Sequence, residues 1–233
     1  MASSKDEGIP SGDRTLKGTT FIRENGQTGD AALLFVHGLG SSQAAYADRA
    51  RKVSDNLGIR CLTFDLSGHG HDRASADRFS VYDHIGDVIA ACDYLAAKAN
   101  PHSGRIGACG ASYGAYLAAL LPEHRSVQRL LLRAPAVAGD VEFPAPERTP
   151  IPGYLAGRPD AFDSLSALSR FTGPVLILES ELDERIPHSQ ILAHLDACPQ
   201  AKHEVIAGAT HALTDPVWDA VFVDAIIRWF RNL

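Results

Sequence analysis

Gly110-Ala111-Ser112-Tyr113-Gly114 stands between an apolar run, residues 105–109, and an alanine-rich helical stretch. A serine hydroxyl at its ordinary pKa is a poor nucleophile, so an enzyme that uses one must lift it out of the backbone on a sharp turn and supply a base. Glycines on both sides permit this turn, because it holds the serine at a positive φ and crowds the neighbouring strand and helix together. The pentapeptide therefore predicts a strand, a tight turn that carries a nucleophilic Ser112, and a helix.

The rest of the chain repeats this alternation of short apolar runs with longer helical patterns. Runs rich in Val, Leu and Ile predict strands at 33–36, 60–64, 105–109, 129–133, 175–178 and 202–206. Apolar residues at helical intervals predict helices at 43–56, 81–99, 115–121, 189–195 and 216–230. Such alternation is typical of an α/β fold with a mainly parallel central sheet and helices on both faces.

The length of 233 residues favours one α/β domain, which we place at residues 16–233. We expect the polar residues 1–15 to be a disordered tail. Residues 19–23 are predicted to form an earlier strand and an antiparallel hairpin with 33–36. The proline-rich part of 139–172 predicts a short lid loop or abbreviated cap, since it is too short to be a domain.

Composition excludes several classes of function. The net charge is −6 with Lys and Arg scattered along the chain, so we expect neither nucleic acid nor an anionic membrane as a partner. The first residues lack the apolar core of a signal peptide and no later run is long enough to span a bilayer, which predicts a soluble, cytoplasmic protein. Four widely spaced cysteines without a C-x-x-C pair predict unpaired, reduced thiols.

Partners for Ser112 are expected where the parallel strands end, since such sheets bind ligands at the carboxyl ends of their strands. His211 lies in a loop after the last predicted strand, where an imidazole could take the serine proton and return it to a leaving group. Four carboxylates follow the strand at 175–178 and compete for the role of the acid that orients this histidine: Glu179, Glu181, Asp183 and Glu184. The order along the chain is serine, acid, histidine, as expected for this type of turn.

These features together resemble the α/β-hydrolase superfamily, from Thr19 to the C-terminus, and in particular serine esterases or lipases with little or no cap domain. The resemblance includes Phe35-Val36-His37-Gly38-Leu39-Gly40 after an early strand, and it implies an oxyanion hole made by the backbone N–H groups of Leu39 and Tyr113. It also selects Asp183 as the acid, because Ile186-Pro187 follow it as in the family, although Glu179 and Ser180 depart from the family's pattern.

Asp65-Leu66-Ser67-Gly68-His69-Gly70-His71 resembles a turn that is usually structural in this superfamily. His69 and His71 without a cysteine or carboxylate cluster are a weak metal site, so neither a metal nor a cofactor is predicted.

The resemblance implies a serine hydrolase that cleaves carboxylic esters through an acyl-enzyme on Ser112. With little chain available for a cap, we expect an open cleft for small or medium acyl groups, with Phe143 and Tyr154 as candidate lining residues. The partner is then a small-molecule ester, and the protein a monomer or homodimer. An amidase, a peptidase or a perhydrolase with the same triad, or a noncatalytic ligand-binding receptor on the same fold, are the alternatives.

Overall fold

The computed structural model describes residues 1–23, 30–99, 105–137 and 162–233. Within these ranges, eight strands form a single sheet in the order β1-β2-β4-β3-β5-β6-β7-β8. The first two strands run antiparallel to their neighbours, whereas β4, β3, β5, β6, β7 and β8 are mutually parallel. The prediction of an α/β-hydrolase fold with a mainly parallel sheet is confirmed.

Apart from β1, α4 and the two short 3₁₀ segments, the elements lie close to the positions predicted from the apolar pattern. The strands are β1 Ala2–Ser11, β2 Arg14–Arg23, β3 Ala32–Val36, β4 Arg60–Phe64, β5 Ile106–Ala111, β6 Arg129–Arg133, β7 Val175–Ser180 and β8 Lys202–Ile206. The α-helices are α1 Ala44–Leu57, α2 Val81–Lys98, α3 Tyr113–Leu120, α4 Ser164–Arg170, α5 His188–Ala197 and α6 Pro216–Phe230. Gly70–Arg78 and Leu121–Glu123 form short 3₁₀ segments.

Helices cover both faces of the sheet and enclose two apolar cores. One core lies between the sheet and α2, α3, α4 and α5, and the other between the sheet and α1 and α6. All four cysteines are buried and unpaired. In the described parts of the chain, no helix has the length and apolar character needed to cross a membrane.

The expectation of a disordered tail at residues 1–15 is wrong. Ala2–Ser11 form β1, which pairs along its whole length with β2. Ile9 is fully buried, and the Ser11 hydroxyl donates a 2.8 Å hydrogen bond to Asp87 on α2. An edge strand buries only part of its side chains, so its polar composition resembles that of a tail while its backbone hydrogen bonds are satisfied by the neighbouring strand.

The expected hairpin between residues 19–23 and 33–36 is also wrong. Strand β2 pairs with β1 and with β4, and β3 lies between β4 and β5. The hairpin of this region is instead formed by β1 and β2, whose connection contains Gly12 at a φ of +60°. Most of the predicted lid falls outside the described residues, which resume at Phe162 shortly before α4.

Candidate active site

Ser112 occupies the tight turn between β5 and α3, with φ 54° and ψ −123°. A non-glycine residue rarely adopts this conformation, which costs about 1 to 3 kcal/mol and persists only where the surroundings enforce it. The Ser112 N–H donates to the Arg133 carbonyl at 2.9 Å, and the Ser112 carbonyl accepts from Ala115 and Tyr116 in the first turn of α3. These bonds anchor the strained residue to β6 on one side and to the helix on the other.

The flanking glycines allow the chain segments around Ser112 to approach closely. A Cβ at Gly110 would overlap the Gly114 carbonyl, and a Cβ at Gly114 would overlap the Val36 carbonyl at the end of β3. Strand β3, strand β5 and helix α3 therefore meet at a point where no side chain fits. This is the geometry expected from the pentapeptide.

Asp183 lies in the loop after β7 and contacts the imidazole of His211. The two carboxylate oxygens are 2.9 and 2.8 Å from His211 Nδ1. The side chains are 3% and 13% exposed, so water screens this contact little. Because an ionised carboxylate only accepts hydrogen bonds, it holds the proton of neutral His211 on Nδ1 and leaves Nε2 as an acceptor.

The environment keeps Asp183 ionised. Burial raises the pKa of this carboxyl, but hydrogen bonds from His211 and from the backbone N–H groups of Ile186 and Arg185 outweigh burial and lower the pKa below its ordinary value. The two backbone donors are 2.8 and 2.9 Å from Oδ1. The Asp183 carboxylate is therefore held in position by the backbone of its own loop as well as by His211.

The other three carboxylates of this segment have different partners. Glu179 lies between His188 Nδ1 and His203 Nε2, at 2.8 and 2.9 Å. Glu181 accepts from the Gly208 N–H at 2.6 Å, and Glu184 accepts from the His211 N–H at 3.2 Å. Asp183 is therefore the one of the four carboxylates that contacts the His211 ring, while Glu181 and Glu184 hold the backbone of the histidine loop.

A cavity of about 590 Å³ contains Ser112 and His211 in its lining, together with Leu39 and Tyr113. The loop after β3 packs against the serine turn, since a Cβ at Gly38 would lie 3.5 Å from the Ser112 Cβ. The structure thus brings the predicted nucleophile, histidine and oxyanion-hole residues to one cavity, with Asp183 behind the histidine. Phe143 and Tyr154 lie outside the described residues.

The sequence did not predict a row of buried aromatic rings that reaches Tyr113 of the serine turn. The rings of His37, His69 and His84 contact one another in that order, with centroids 5.2 and 5.1 Å apart and planes tilted by 50° and 74°. The Tyr113 ring meets His84 edge-on, with the centroids 5.6 Å apart. Burial lowers the pKa values of His37 and His84 to about 4. The His69 side chain is also buried, whereas the His71 side chain is half exposed near Asp65.

Sequence reasoning also missed three arginines that line the cavity: Arg49, Arg133 and Arg185. One of them could have been found, because Arg133 follows three leucines at the carboxyl end of its strand, where ligands bind to parallel sheets. Arg49 and Arg185 carried no comparable signal, since exposed arginines are frequent on helices and loops.

Comparison with known proteins identifies the family of this chain. The family model described as "Serine aminopeptidase, S33", a hydrolase family, matches residues 27–157, which is more than half of the chain. This segment includes Ser112 and ends before Asp183 and His211.

The curated relatives are similar over most of this chain but are longer. Alpha/beta hydrolase domain-containing protein 17C from Mus musculus is 28% identical over 185 residues, which cover 77% of this chain and 53% of the mouse protein. The Xenopus laevis protein of the same name is 29% identical, with 77% and 55% covered. This chain therefore spans about half the length of the curated relatives that it matches.

Solved structures share the fold at low sequence identity. A dienelactone hydrolase from Anabaena variabilis is 24% identical with a TM-score of 0.68, covering 98% of this chain and 97% of that one. An esterase from Pyrococcus furiosus is 18% identical with a TM-score of 0.73, covering 99% and 91%. A ferulic acid-bound protein from Butyrivibrio proteoclasticus, Est1E, is 17% identical with a TM-score of 0.74, covering 96% and 97%.

Proposed function

We propose, from the premise that this chain belongs to the α/β-hydrolase family described as serine aminopeptidase S33, that it is a serine hydrolase of carboxylic esters. Ser112 is the nucleophile, His211 the general base and acid, and Asp183 the group that orients His211. The observation that carries this proposal is the contact of Asp183 with His211 Nδ1 in the same site as a serine held at positive φ. Strained backbone and oriented titratable groups cluster at active sites, so a strained serine turn beside an oriented imidazole favours catalysis.

The proposed reaction needs only groups that the cavity supplies. Ser112 Oγ attacks the ester carbonyl carbon while its proton passes to His211 Nε2. The tetrahedral intermediate collapses, the alcohol leaves with the proton from His211, and the acyl group stays on Ser112. Water then attacks the acyl-enzyme with His211 again as the base, and the carboxylic acid leaves as Ser112 regains its proton.

The negative oxygen of each tetrahedral intermediate is proposed to bind the backbone N–H groups of Leu39 and Tyr113. Both residues line the cavity beside Ser112. A donor of this kind stabilises the transition state by about 3 kcal/mol, since it is oriented before charge develops. A cavity of about 590 Å³ suits a small or medium acyl group.

Hydrolysis of p-nitrophenyl butyrate tests the proposal. Wild type is expected to show turnover and to be labelled at Ser112 by a fluorophosphonate, as located by mass spectrometry. Ser112→Ala is expected to lose both, whereas Ser42→Ala, a serine before α1, keeps them. A folded wild type that is neither active nor labelled would contradict the proposal and favour a noncatalytic binding protein.

Amide cleavage is the second candidate, because the matching family is described as a serine aminopeptidase. An aminopeptidase must accept a protonated amino group near the scissile bond, and acidic side chains normally bind such a group. Among the described residues, the cavity lining includes three arginines and no acidic residue. This charge favours esters over free N-terminal peptides, and kcat/KM for alanine p-nitroanilide against p-nitrophenyl butyrate separates the two.

A further inference from the structure

Arg133 is a buried cation in the wall of the cavity that holds Ser112. It stands at the carboxyl end of β6 and is 5% exposed. Its Nη2 donates to the Ser180 hydroxyl at 3.2 Å and to the His211 carbonyl. Its Nε is buried without a hydrogen-bond partner, and Nη1 forms no hydrogen bond with the residues that the structure describes.

The charge of Arg133 is not neutralised by a carboxylate in contact with it. Throughout the described ranges, no Asp or Glu oxygen lies within ion-pair distance of its guanidinium. Asp183, whose charge acts on Arg133 without contact, is already bound to His211 and to two backbone N–H groups. Burial lowers the pKa of Arg133, although attraction from Asp183 opposes this effect.

A buried, unpaired guanidinium is costly, because the folded protein does not replace the hydration that it loses. Two hydrogen bonds to neutral acceptors, and the Phe222 ring with its centre 6.0 Å from the guanidinium carbon, recover only part of this cost. A methionine or leucine would fill the same space without it. The arginine is therefore better explained by an anion that completes its coordination when a ligand occupies the cavity.

The neighbouring charges have the same sign. Arg49 lines the cavity from α1, with its Nε 2.7 Å from Asp219 and its guanidinium 5.2 Å from the Tyr46 and Phe222 ring centres. Arg185 lines the rim with a side chain that is 71% exposed. Both of these arginines have carboxylate partners, Asp219 for Arg49 and Glu184 for Arg185 at 3.9 Å, so among the described lining residues Arg133 is the arginine without an ion-pair partner.

From this geometry we propose that the substrate carries a carboxylate, in addition to the ester group, and that Arg133 binds this carboxylate. The inference rests on the proposed ester hydrolase function. It defines two substrate classes. If the acyl half bears the carboxylate, the substrate is a half-ester of a dicarboxylic acid; if the alcohol half bears it, the substrate is a hydroxy acid that is acylated on its hydroxyl group. Arg133 is then a specificity-determining residue, since the reacting atoms are handled by Ser112 and His211.

Matched pairs of esters separate charge from size. Mono-p-nitrophenyl glutarate against p-nitrophenyl pentanoate places the carboxylate in the acyl half, and 4-carboxyphenyl butyrate against phenyl butyrate places it in the alcohol half. Wild type is expected to hydrolyse the charged member of one pair with a kcat/KM at least tenfold above that of the neutral member. A preference for the neutral member in both pairs would overturn the inference.

Arg133→Gln tests the assigned residue, with Arg129→Gln at the opposite end of β6 as the control for loss of a positive charge. Arg133→Gln is expected to lower the charged-to-neutral ratio of kcat/KM at least tenfold, Arg133→Lys to restore part of it, and Arg129→Gln to leave it unchanged. An equal loss of activity on both esters would mean that Arg133 only supports the His211 loop, and would refute the inference.

Equilibrium binding keeps the inference testable if a variant misfolds or if the protein is not an esterase. Calorimetric titration of folded Ser112→Ala with monomethyl glutarate and with methyl pentanoate compares the two ligands without turnover. Tighter binding of the charged ligand supports the inference even where fluorophosphonate labelling refutes the esterase. Equal or weaker binding of the charged ligand refutes the inference even where labelling supports the esterase.

Discussion

The hydroxyl of Tyr113 lies 2.8 Å from Nδ1 of His84, directly beneath the turn that carries Ser112. The other ring nitrogen of His84 is 3.0 Å from the Ser67 carbonyl, which can only accept. His84 is therefore protonated on Nε2, and Nδ1 accepts from the Tyr113 hydroxyl. Since the backbone N–H of Tyr113 is a proposed oxyanion donor, this buried bond fixes a residue of the site through its side chain.

His84→Phe is expected to lower the free energy of unfolding by about 1 to 3 kcal/mol, because it removes the buried hydrogen bond between the Tyr113 hydroxyl and His84 Nδ1. Urea denaturation measures this change. Tyr113→Phe removes the other partner, and the double variant should be less destabilised than the sum of the single variants. Strictly additive losses would show that the two side chains do not interact.

Stability should also fall as the pH is lowered from about 6.5 to about 4. The pKa values of His37 and His84 are lowered to about 4 by burial, from an ordinary value of 6.5. In this window the unfolded chain binds protons that the folded chain does not, so the stabilisation present above pH 6.5 is lost progressively. Each histidine contributes a slope approaching about 1.4 kcal/mol per pH unit.

Denaturation with urea at pH 7, 6 and 5 measures this slope. The raised pKa of buried Asp87 acts in the opposite direction, so the comparison between variants is more informative than the absolute curve. His84→Phe, although less stable overall, should lose stability less steeply with falling pH than wild type. A slope equal to that of wild type would mean that His84 is not a source of the effect.

Much of the fold could be predicted because its signals are local. Apolar runs bounded by glycine and polar residues place the buried strands β3 to β7, and the stripe on α2 marks its core face. Strand β1 escaped detection because only Ala2, Ile9 and Ser11 are buried among its charged and polar residues, and its pairing partner is what makes it a strand.

Residues of the candidate site could be predicted where a short motif marks them. They could not be predicted where contacts join residues that are distant in the chain. Ser112 and His211 follow from the glycine-flanked turn and from the position after the last strand. Nothing in the spacing of His37, His69 and His84 shows that their rings are in contact, because these residues lie in separate parts of the chain that come together only in the folded state. Likewise, spacing alone left four neighbouring carboxylates open; the resemblance selected Asp183, and the hydrogen bonds show that Asp183 contacts the His211 ring.

Alanine at the serine turn should be strongly destabilising. Gly110→Ala and Gly114→Ala place a methyl group against backbone atoms of α3 and β3, and each is expected to cost about 3 kcal/mol. Gly12→Ala is the matched control, because Gly12 has a φ of +60° and open space around its Cβ position. The control should cost only about 1 kcal/mol for its backbone conformation. Thermal and urea unfolding of the three variants measure the difference, and equal losses would contradict the close packing at the turn.

Asp183→Asn tests whether the rate depends on the orientation of His211 or only on negative charge in the loop that holds the four carboxylates. The asparagine amide can donate to His211 Nδ1, which favours the tautomer with its proton on Nε2. In that tautomer Nε2 cannot accept the proton of Ser112. We expect kcat on p-nitrophenyl butyrate to fall by roughly 10³ to 10⁴, as for loss of the acid in other triads, with KM little changed. Glu179→Gln removes a carboxylate from the same segment but is bound to His188 and His203, so it should retain most of the rate. A comparable loss in Glu179→Gln, with Asp183→Asn active, would transfer the orienting role to Glu179 and contradict the geometry of the site.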